Sequence, residues 1–311
     1  KIQKMPNLQI DEPTLSMIFQ VNDSPLAGND GQFITSRNLK DRLDKELKTN
    51  VALKVEVTED ADKFKVSGRG ELHLSILIEN MRREGFEVGI SSPDVIYKII
   101  DNKKCEPFED LTLDIEDQYQ GLVIEKLGER KAQLLELIPM DGKKLRLNYE
   151  IPTRGLIGFR SEFLTLTSGS GIINHTFKNY KPVINNINRN RKNGALISMN
   201  QGKAVPYALY NLQQRGKLIV NGNEEIYEGM IIGFNSRDDD LTVNPLKSKQ
   251  LTNFRASGSD DAINITPPIL ITLEKAIEII NNDELIEVTP NNIRLRKKFL
   301  KEHERKKDLR S

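Results

Sequence analysis

Hydrophobic residues over the first 92 positions switch between two spacings, and each switch marks an element. Ser16-Met17-Ile18-Phe19-Gln20-Val21 carries the β-branched and aromatic content of a strand. Leu39, Leu43 and Leu47 recur every fourth position, which aligns them on one face of a helix that Ser36 can cap and that runs to about Lys48. Val51, Leu53, Val55 and Val57 alternate with polar residues and predict a half-buried strand, and Phe64 and Val66 predict another. Ser67-Gly68-Arg69-Gly70-Glu71-Leu72-His73-Leu74 enters a helix with Leu74, Leu77, Ile78 and Met81 facing inward, and Phe86-Glu87-Val88-Gly89-Ile90 closes the set. Residues 13–92 thus read β-α-β-β-α-β, the ferredoxin-like order.

The same order returns over residues 93–182. Leu111–Ile115 predicts a strand, Tyr119–Gly128 a helix, Ala132–Pro139 and Leu145–Ile151 two strands, Arg154–Thr167 a glycine-containing helix and Ile172–Phe177 a last strand. Residues 183–192 are polar, aperiodic and linker-like. From residue 193 to 311 short strands recur at Ala195–Met199, Lys217–Val220, Met230–Phe234 and Ala262–Thr266. A helix over Leu273–Ile280 follows, then two strands, Leu285–Val288 and Ile293–Leu295, about the turn Thr289-Pro290-Asn291-Asn292, and a basic terminal helix. The fold class expected is α+β, with two tandem ferredoxin-like domains and a β-rich C-terminal domain; its topology is left open, a barrel being one arrangement that fits.

Composition places the chain among globular proteins, with 37% hydrophobic and 29% charged residues. No apolar run approaches the roughly 20 residues of a membrane span, and Lys1–Asp11 lacks the apolar stretch of a signal peptide. One cysteine, Cys105, allows no internal disulfide and fits a reducing compartment. The net charge of +1 conceals an asymmetry: Phe163–Asn223 contains no Asp or Glu but eight Lys and Arg, and Arg294–Arg310 holds nine basic residues against Glu302, Glu304 and Asp308. Basic surface gathered in this way is the electrostatic footprint of phosphate, as in RNA, although a solvated linker and a solvated terminal helix would look the same.

The chemistry of catalysis is not legible. A phosphate-wrapping loop needs Gly-x-x-x-x-Gly-Lys-Ser/Thr, and the Gly-Lys pairs at 142, 202 and 216 are followed by Lys144, Ala204 and Leu218. Asn102-Lys103-Lys104-Cys105 does not complete a guanine-reading Asn-Lys-x-Asp, and Gly68-Arg69-Gly70 reads as a tight turn into a helix. The chain is therefore expected neither to bind nor to hydrolyse GTP. His73 and Glu71 stand two apart on a helix and face different ways. His175 has no evident partner, Cys105 has no evident base, and Asp238-Asp239-Asp240 reads as a solvated loop before it reads as a cation site. Three histidines far apart in sequence and one cysteine give no metal-ligand spacing.

Ser67–Leu74 with Met81-Arg82-Arg83-Glu84 resembles domain III of elongation factor G, and Pro152, Gly155, Gly158-Phe159 and Thr167-Ser168-Gly169-Ser170-Gly171 resemble its domain V. Leu156–Phe163, Gly202-Lys203-Ala204, Leu241-Thr242-Val243-Asn244, Lys249–Gly258, Thr266-Pro267-Pro268 and Glu287-Val288-Thr289-Pro290 are similar to the BipA/TypA family of ribosome-associated GTPases, with Pro245 and Gln250 departing from its basic loop. The resemblance covers essentially the whole chain. It implies a cytoplasmic parent that hydrolyses GTP with Mg2+ in a domain not represented here, acts in stress adaptation and large-subunit assembly, and leaves residues 1–12 as a linker. It also implies a non-enzymatic, cofactor-free, monomeric chain whose partners are the ribosome, large-subunit rRNA and an A-site tRNA, with no membrane partner.

On these grounds the RNA-contacting residues expected are Lys203, Arg215, Lys217, Lys247, Lys249, Thr252, Asn253, Phe254, Arg255, Arg294, Arg296, Lys297 and Lys298. Residues Asn244–Gly258 are expected to form a basic exposed loop reaching into RNA. A protein-interaction scaffold, or a small-molecule-binding protein of tandem ferredoxin-like domains, is the alternative.

Overall fold

The computed structural model describes residues 12–185, 191–248 and 264–308. These residues fall into two units, one drawn from Lys1–Val21, Thr35–Met81 and Pro93–Arg189, the other from Asn22–Ile34, Arg82–Ser92 and Asn190–Ser311.

The first unit opens with β1 (Leu15–Val21), α1 (Ser36–Leu47), β2 (Lys54–Val57), β3 (Lys63–Gly68) and α2 (Glu71–Arg83). β1 and β2 flank β3, both antiparallel to it, with Phe19 opposite Phe64. Leu39, Leu43, Leu74, Leu77 and Ile78 are buried, as their spacing predicts. The α1 cap is Thr35, not Ser36: its side chain accepts the Asn38 N–H and satisfies one of the orphan donors of the first turn. β2 begins at Lys54, because the Leu53 N–H is turned back onto the Asn50 carbonyl, and Val51 is exposed in that turn.

The second repeat, preceded by β5 (Asp94–Val95) and β6 (Lys98–Ile100), consists of β7 (Lys103–Glu116), α3 (Gln120–Glu129), β8 (Gln133–Met140), β9 (Lys144–Pro152), α4 (Thr153–Leu156), α5 (Phe159–Leu166) and β10 (Ile172–Pro182). Its sheet runs β10-β7-β9-β8, antiparallel throughout, which is the ferredoxin-like order for strands met as first, second, third and fourth. Leu111, Leu113, Leu147, Tyr149, Phe159 and Phe163 form its core with residues of α3. The helix expected over 154–167 is two helices, because Gly158 at φ +71° takes the left-handed region and breaks the run. Arg130 holds that break, donating to the carbonyls of Gly155 at 2.7 Å and Ile157 at 3.0 Å and to Glu162 at 2.8 Å.

The second unit contains β4 (Val88–Ser91), β11 (Ala195–Ser198), β12 (Gly202–Lys203), α6 (Pro206–Leu212), β13 (Gly216–Leu218), β14 (Glu225–Ile226), β15 (Met230–Asn235), β16 (Leu241–Val243), α7 (Leu273–Ile279), β17 (Glu284–Val288), β18 (Ile293–Lys297) and α8 (Glu302–Asp308). The strands run β16-β11-β15-β18-β17-β4, with β13 also on β15; β11 and β16 are parallel and the other pairs antiparallel. Among the described residues β16 pairs only with β11, so the arrangement is an open mixed sheet and not a barrel. The strand expected at Ala262–Thr266 begins outside the described residues, and 264–266 carry no strand. Two stretches expected in the first domain, 22–34 and 82–92, lie in this unit. The buried Glu87 carboxylate holds the first of them, accepting the backbone N–H groups of Gly28, Asp30 and Gly31 at 2.8, 3.0 and 2.6 Å. A Cβ on Gly31 would stand 2.5 Å from Glu87 Cγ, so the loop can close on the carboxylate only through glycine.

Candidate nucleic-acid interface

Five of the residues expected to meet RNA are exposed: Lys203, Arg215, Lys217, Lys247 and Lys298. None forms an ion pair among the described residues, so their charge is available to an anion. Local structure places Arg215 and Lys247 about α6. Pro206 occupies the first turn of that helix, where its missing N–H costs nothing. The Val205 N–H is donated to the Pro245 carbonyl at 2.9 Å, which brings the chain after β16 alongside the helix start. At the other end the Arg215 N–H bonds the Leu212 carbonyl at 2.9 Å, and the turn projects the guanidinium outward.

Between α6 and β16 lies an open groove of about 410 Å3. Ala208, Leu212, Leu241 and Val243 supply its apolar lining, Asn211, Gln214, Thr242 and Asn244 its polar lining, and Arg215 and Lys247 its charge. The polar lining was not legible in the sequence, where four dispersed uncharged residues carry no pattern.

Lys249, Thr252, Asn253, Phe254 and Arg255 lie outside the described residues. Both flanks of their segment are described and anchored near α6. Asn244 Oδ1 accepts the Leu246 N–H at 2.9 Å, and the Gln213 side chain donates to the Asn264 carbonyl at 3.1 Å and accepts the Thr266 N–H at 3.0 Å.

Arg294, Arg296 and Lys297 are a correction to the sequence reading. They lie on β18, between β15 and β17, and their charge is consumed inside the unit. Arg296 and Lys297 are 1% and 2% exposed. Lys297 meets Asp240 and Asp283 at 2.6 Å and Glu284 at 3.0 Å, and Arg296 pairs with Asp23. Arg294 donates to Glu287 at 2.9 Å and stands 3.7 Å from Asp30. Glu287 is fully buried and also accepts the Tyr227 hydroxyl at 2.6 Å and the Asn22 amide at 3.3 Å, a network that sequence reasoning missed. In the tail, Arg305 donates to the carbonyls of Phe299 and Leu300, and burial lowers its pKa, while Lys306 pairs with Glu302 at 2.6 Å. The acid-free stretch is likewise not acid-free in space: Lys178 meets Asp110 and Glu150, Lys181 meets Glu150, and Arg191 meets Glu284 at 3.0 Å.

The other sites considered in the sequence are accounted for by packing. Asp240 accepts the Ala195 N–H and neutralises Lys297, and Cys105 is buried. Glu71 accepts the Gly158 N–H at 3.2 Å. His73 accepts the Arg69 N–H at its Nδ1, 3.3 Å away, and its Nε2 lies 2.8 Å from Asn50 Nδ2. Burial, then the Arg69 charge, lowers its pKa.

His175 does have a partner. Its Nδ1 lies 2.5 Å from Glu109 Oε2 across β10 and β7, and that bond raises its pKa, against desolvation and Arg160. A folded-state pKa above the unfolded one stabilises the fold below about pH 6.5, and that contribution is lost as pH rises through the folded value. An NMR titration of the imidazole signals is expected to place His175 above about 6.5 and His73 below it, with Glu109→Gln moving His175 back down. A His175 midpoint that ignores this substitution would contradict the pairing.

Comparison with known proteins gives these sites a family. Residues 193–302 match the family model described as the TypA/BipA C-terminal domain, and residues 103–191 match the elongation factor G C-terminus. The large ribosomal subunit assembly factor BipA of Escherichia coli (strain K12) is 57% identical over 311 residues, 100% of this chain and 51% of that protein. The protein of the same description in Salmonella typhimurium is 57% identical over 98% of this chain and 50% of its own length, and that in Haemophilus influenzae 55% over 100% and 50%. The chain spans about half the length of these relatives, and no helix among its described residues is long and apolar enough to cross a membrane. Matched end to end at this identity, and carrying that C-terminal domain, the chain belongs to the TypA/BipA family.

Proposed function

We propose that this chain is the ribosome-docking part of a BipA-like large-subunit assembly factor and that it binds RNA through the surface about α6. The observation that carries the reading is the contrast within one unit. Arg294, Arg296 and Lys297 are neutralised by carboxylates, whereas Lys203, Arg215, Lys217, Lys247 and Lys298 are exposed and without an ion pair among the described residues. Cations left in water, with Arg215 and Lys247 beside a polar groove, suit phosphate contacts, which position a protein on RNA without reading its sequence. On this reading residues 13–92 and 93–182 are docking domains, residues 193–311 meet large-subunit rRNA and an A-site tRNA, and Lys249, Thr252, Asn253, Phe254 and Arg255 extend the contact. The chain acts in the cytoplasm as a monomer, and the chemistry of GTP with Mg2+ belongs to the part of the relatives that it does not span.

A contact with protein has one observation in its favour. Every residue of β8, including Leu134, Leu135, Leu137, Ile138 and Met140, is exposed on a strand that, among the described residues, is paired on one side only, by β9. Co-sedimentation with large ribosomal subunits at two salt concentrations separates the readings. Binding at low salt that is largely lost on a fourfold increase is expected for the RNA surface. Binding indifferent to salt would transfer the docking role to β8.

A further inference from the structure

We propose that the groove between α6 and β16 captures one unpaired nucleotide of the RNA, with its base inward and its phosphates toward Arg215 and Lys247; this rests on the RNA-docking reading above. Size comes first. Small-molecule pockets span about 300–1,000 Å3, and this groove, at about 410 Å3, is of a size for one nucleotide and not for a stacked run. Chemistry comes second. Asn211 Nδ2 is donated to the Tyr207 carbonyl at 2.9 Å, which leaves Oδ1 as an acceptor. Asn244 Oδ1 is taken by the Leu246 N–H, which leaves Nδ2 as a donor. The Gln214 side chain has no hydrogen bond among the described residues and offers both functions.

Donors and acceptors on the rim of an apolar floor suit the edge of a base lying against Leu212 and Leu241. That edge is engaged in a duplex, and the deep, narrow major groove of A-form RNA admits no side chains, so only an unpaired or bulged nucleotide can enter. Among the described residues no aromatic lines the groove, and the recognition proposed rests on hydrogen bonds at the base edge. The two cations then hold the sugar-phosphate on either side of the captured base, Arg215 with a planar fork and Lys247 as a point charge.

The test uses two RNA hairpins that differ only by one bulged nucleotide, with binding to the full chain followed by fluorescence anisotropy over a range of salt. The parent chain is expected to bind the bulged hairpin about tenfold more tightly, as two hydrogen bonds of ordinary net strength would give. Asn211→Ala with Gln214→Ala should bring the two hairpins to parity, and Thr242→Trp, which fills the groove, should do the same. Circular dichroism melting of each variant separates loss of the site from loss of the fold. Equal, salt-dependent affinity of the parent for both hairpins, or a preference that survives the double substitution in a folded protein, would overturn the groove assignment and leave the docking reading standing. Absence of salt-dependent binding to either hairpin would overturn the docking reading, and the groove assignment with it.

Discussion

Replacing Glu287 by Ala is expected to lower the stability of the second unit by about 3–5 kcal/mol. Glu287 is wholly buried on β17 and is the common acceptor for Arg294 at 2.9 Å, Tyr227 Oη at 2.6 Å and Asn22 Nδ2 at 3.3 Å. Among the described residues its removal leaves Arg294 facing only Asp30, at 3.7 Å, with the guanidinium Nε already without a partner. Tyr227 would also lose the acceptor for a hydroxyl that burial, reinforced by the Glu287 charge, keeps protonated far above the ordinary tyrosine range. Each orphaned donor carries its own desolvation cost, which is why deleting one partner of a buried pair exceeds the net worth of the pair. Glu287→Gln preserves the shape and one acceptor oxygen and should cost less. Urea midpoints measure both, provided the slope of stability against urea is unchanged. An alanine variant within about 1 kcal/mol of the parent would show that the network does not hold the unit together.

Substituting Lys203, Arg215, Lys217, Lys247 and Lys298 together by Ala is expected to remove most of the salt dependence of RNA binding. Each phosphate contact contributes about 0.7–0.9 to the slope of log affinity against log salt, so five contribute about 3.5–4.5. Between about 50 and 200 mM salt the parent should lose on the order of a hundredfold in affinity through these residues, and the variant should lose little of it. All five side chains are exposed and outside the ion-pair networks, so each substitution should leave stability within about 0.5 kcal/mol. The opposite pattern is expected of Lys297→Ala. Its ammonium is 2% exposed among Asp240, Asp283 and Glu284, so its loss should weaken the fold and leave the slope of the folded protein unchanged. A fivefold variant with the parent's slope would move the phosphate contacts to Lys249 and Arg255, on the segment outside the described residues.

Element type was legible wherever the period was unambiguous. Leu39 and Leu43 are buried on α1, and Leu74, Leu77 and Ile78 on α2, because a spacing of three or four can face one way only on a helix. The second repeat followed for the same reason, since its alternating apolar positions produce the antiparallel order β10-β7-β9-β8. The break at Gly158 was missed because glycine is tolerated inside a helix until a tertiary contact, here Arg130 on the carbonyls of Gly155 and Ile157, stabilises the left-handed turn. The grouping of residues 22–34 with 82–92 was not legible because it depends on the buried Glu87 carboxylate, whose loop partners stand 56 to 59 positions away.

The charges show the division most directly. By itself the sequence determined that cations gather in the acid-free stretch Phe163–Asn223 and in Arg294–Arg310, and that the chain is of a family with a TypA/BipA C-terminal domain, because composition and motif are properties of the chain read in order. Only the tertiary structure decided which of those cations remain in water. Arg294 finds Glu287 7 positions away, whereas Arg296 finds Asp23 273 positions away. Arg296 and Lys297 are buried, so their charges must be paired or pay full desolvation. Arg215 and Lys247 are exposed where the chain leaves α6 and β16, with no carboxylate within ion-pair reach among the described residues, and their charge stays at the surface.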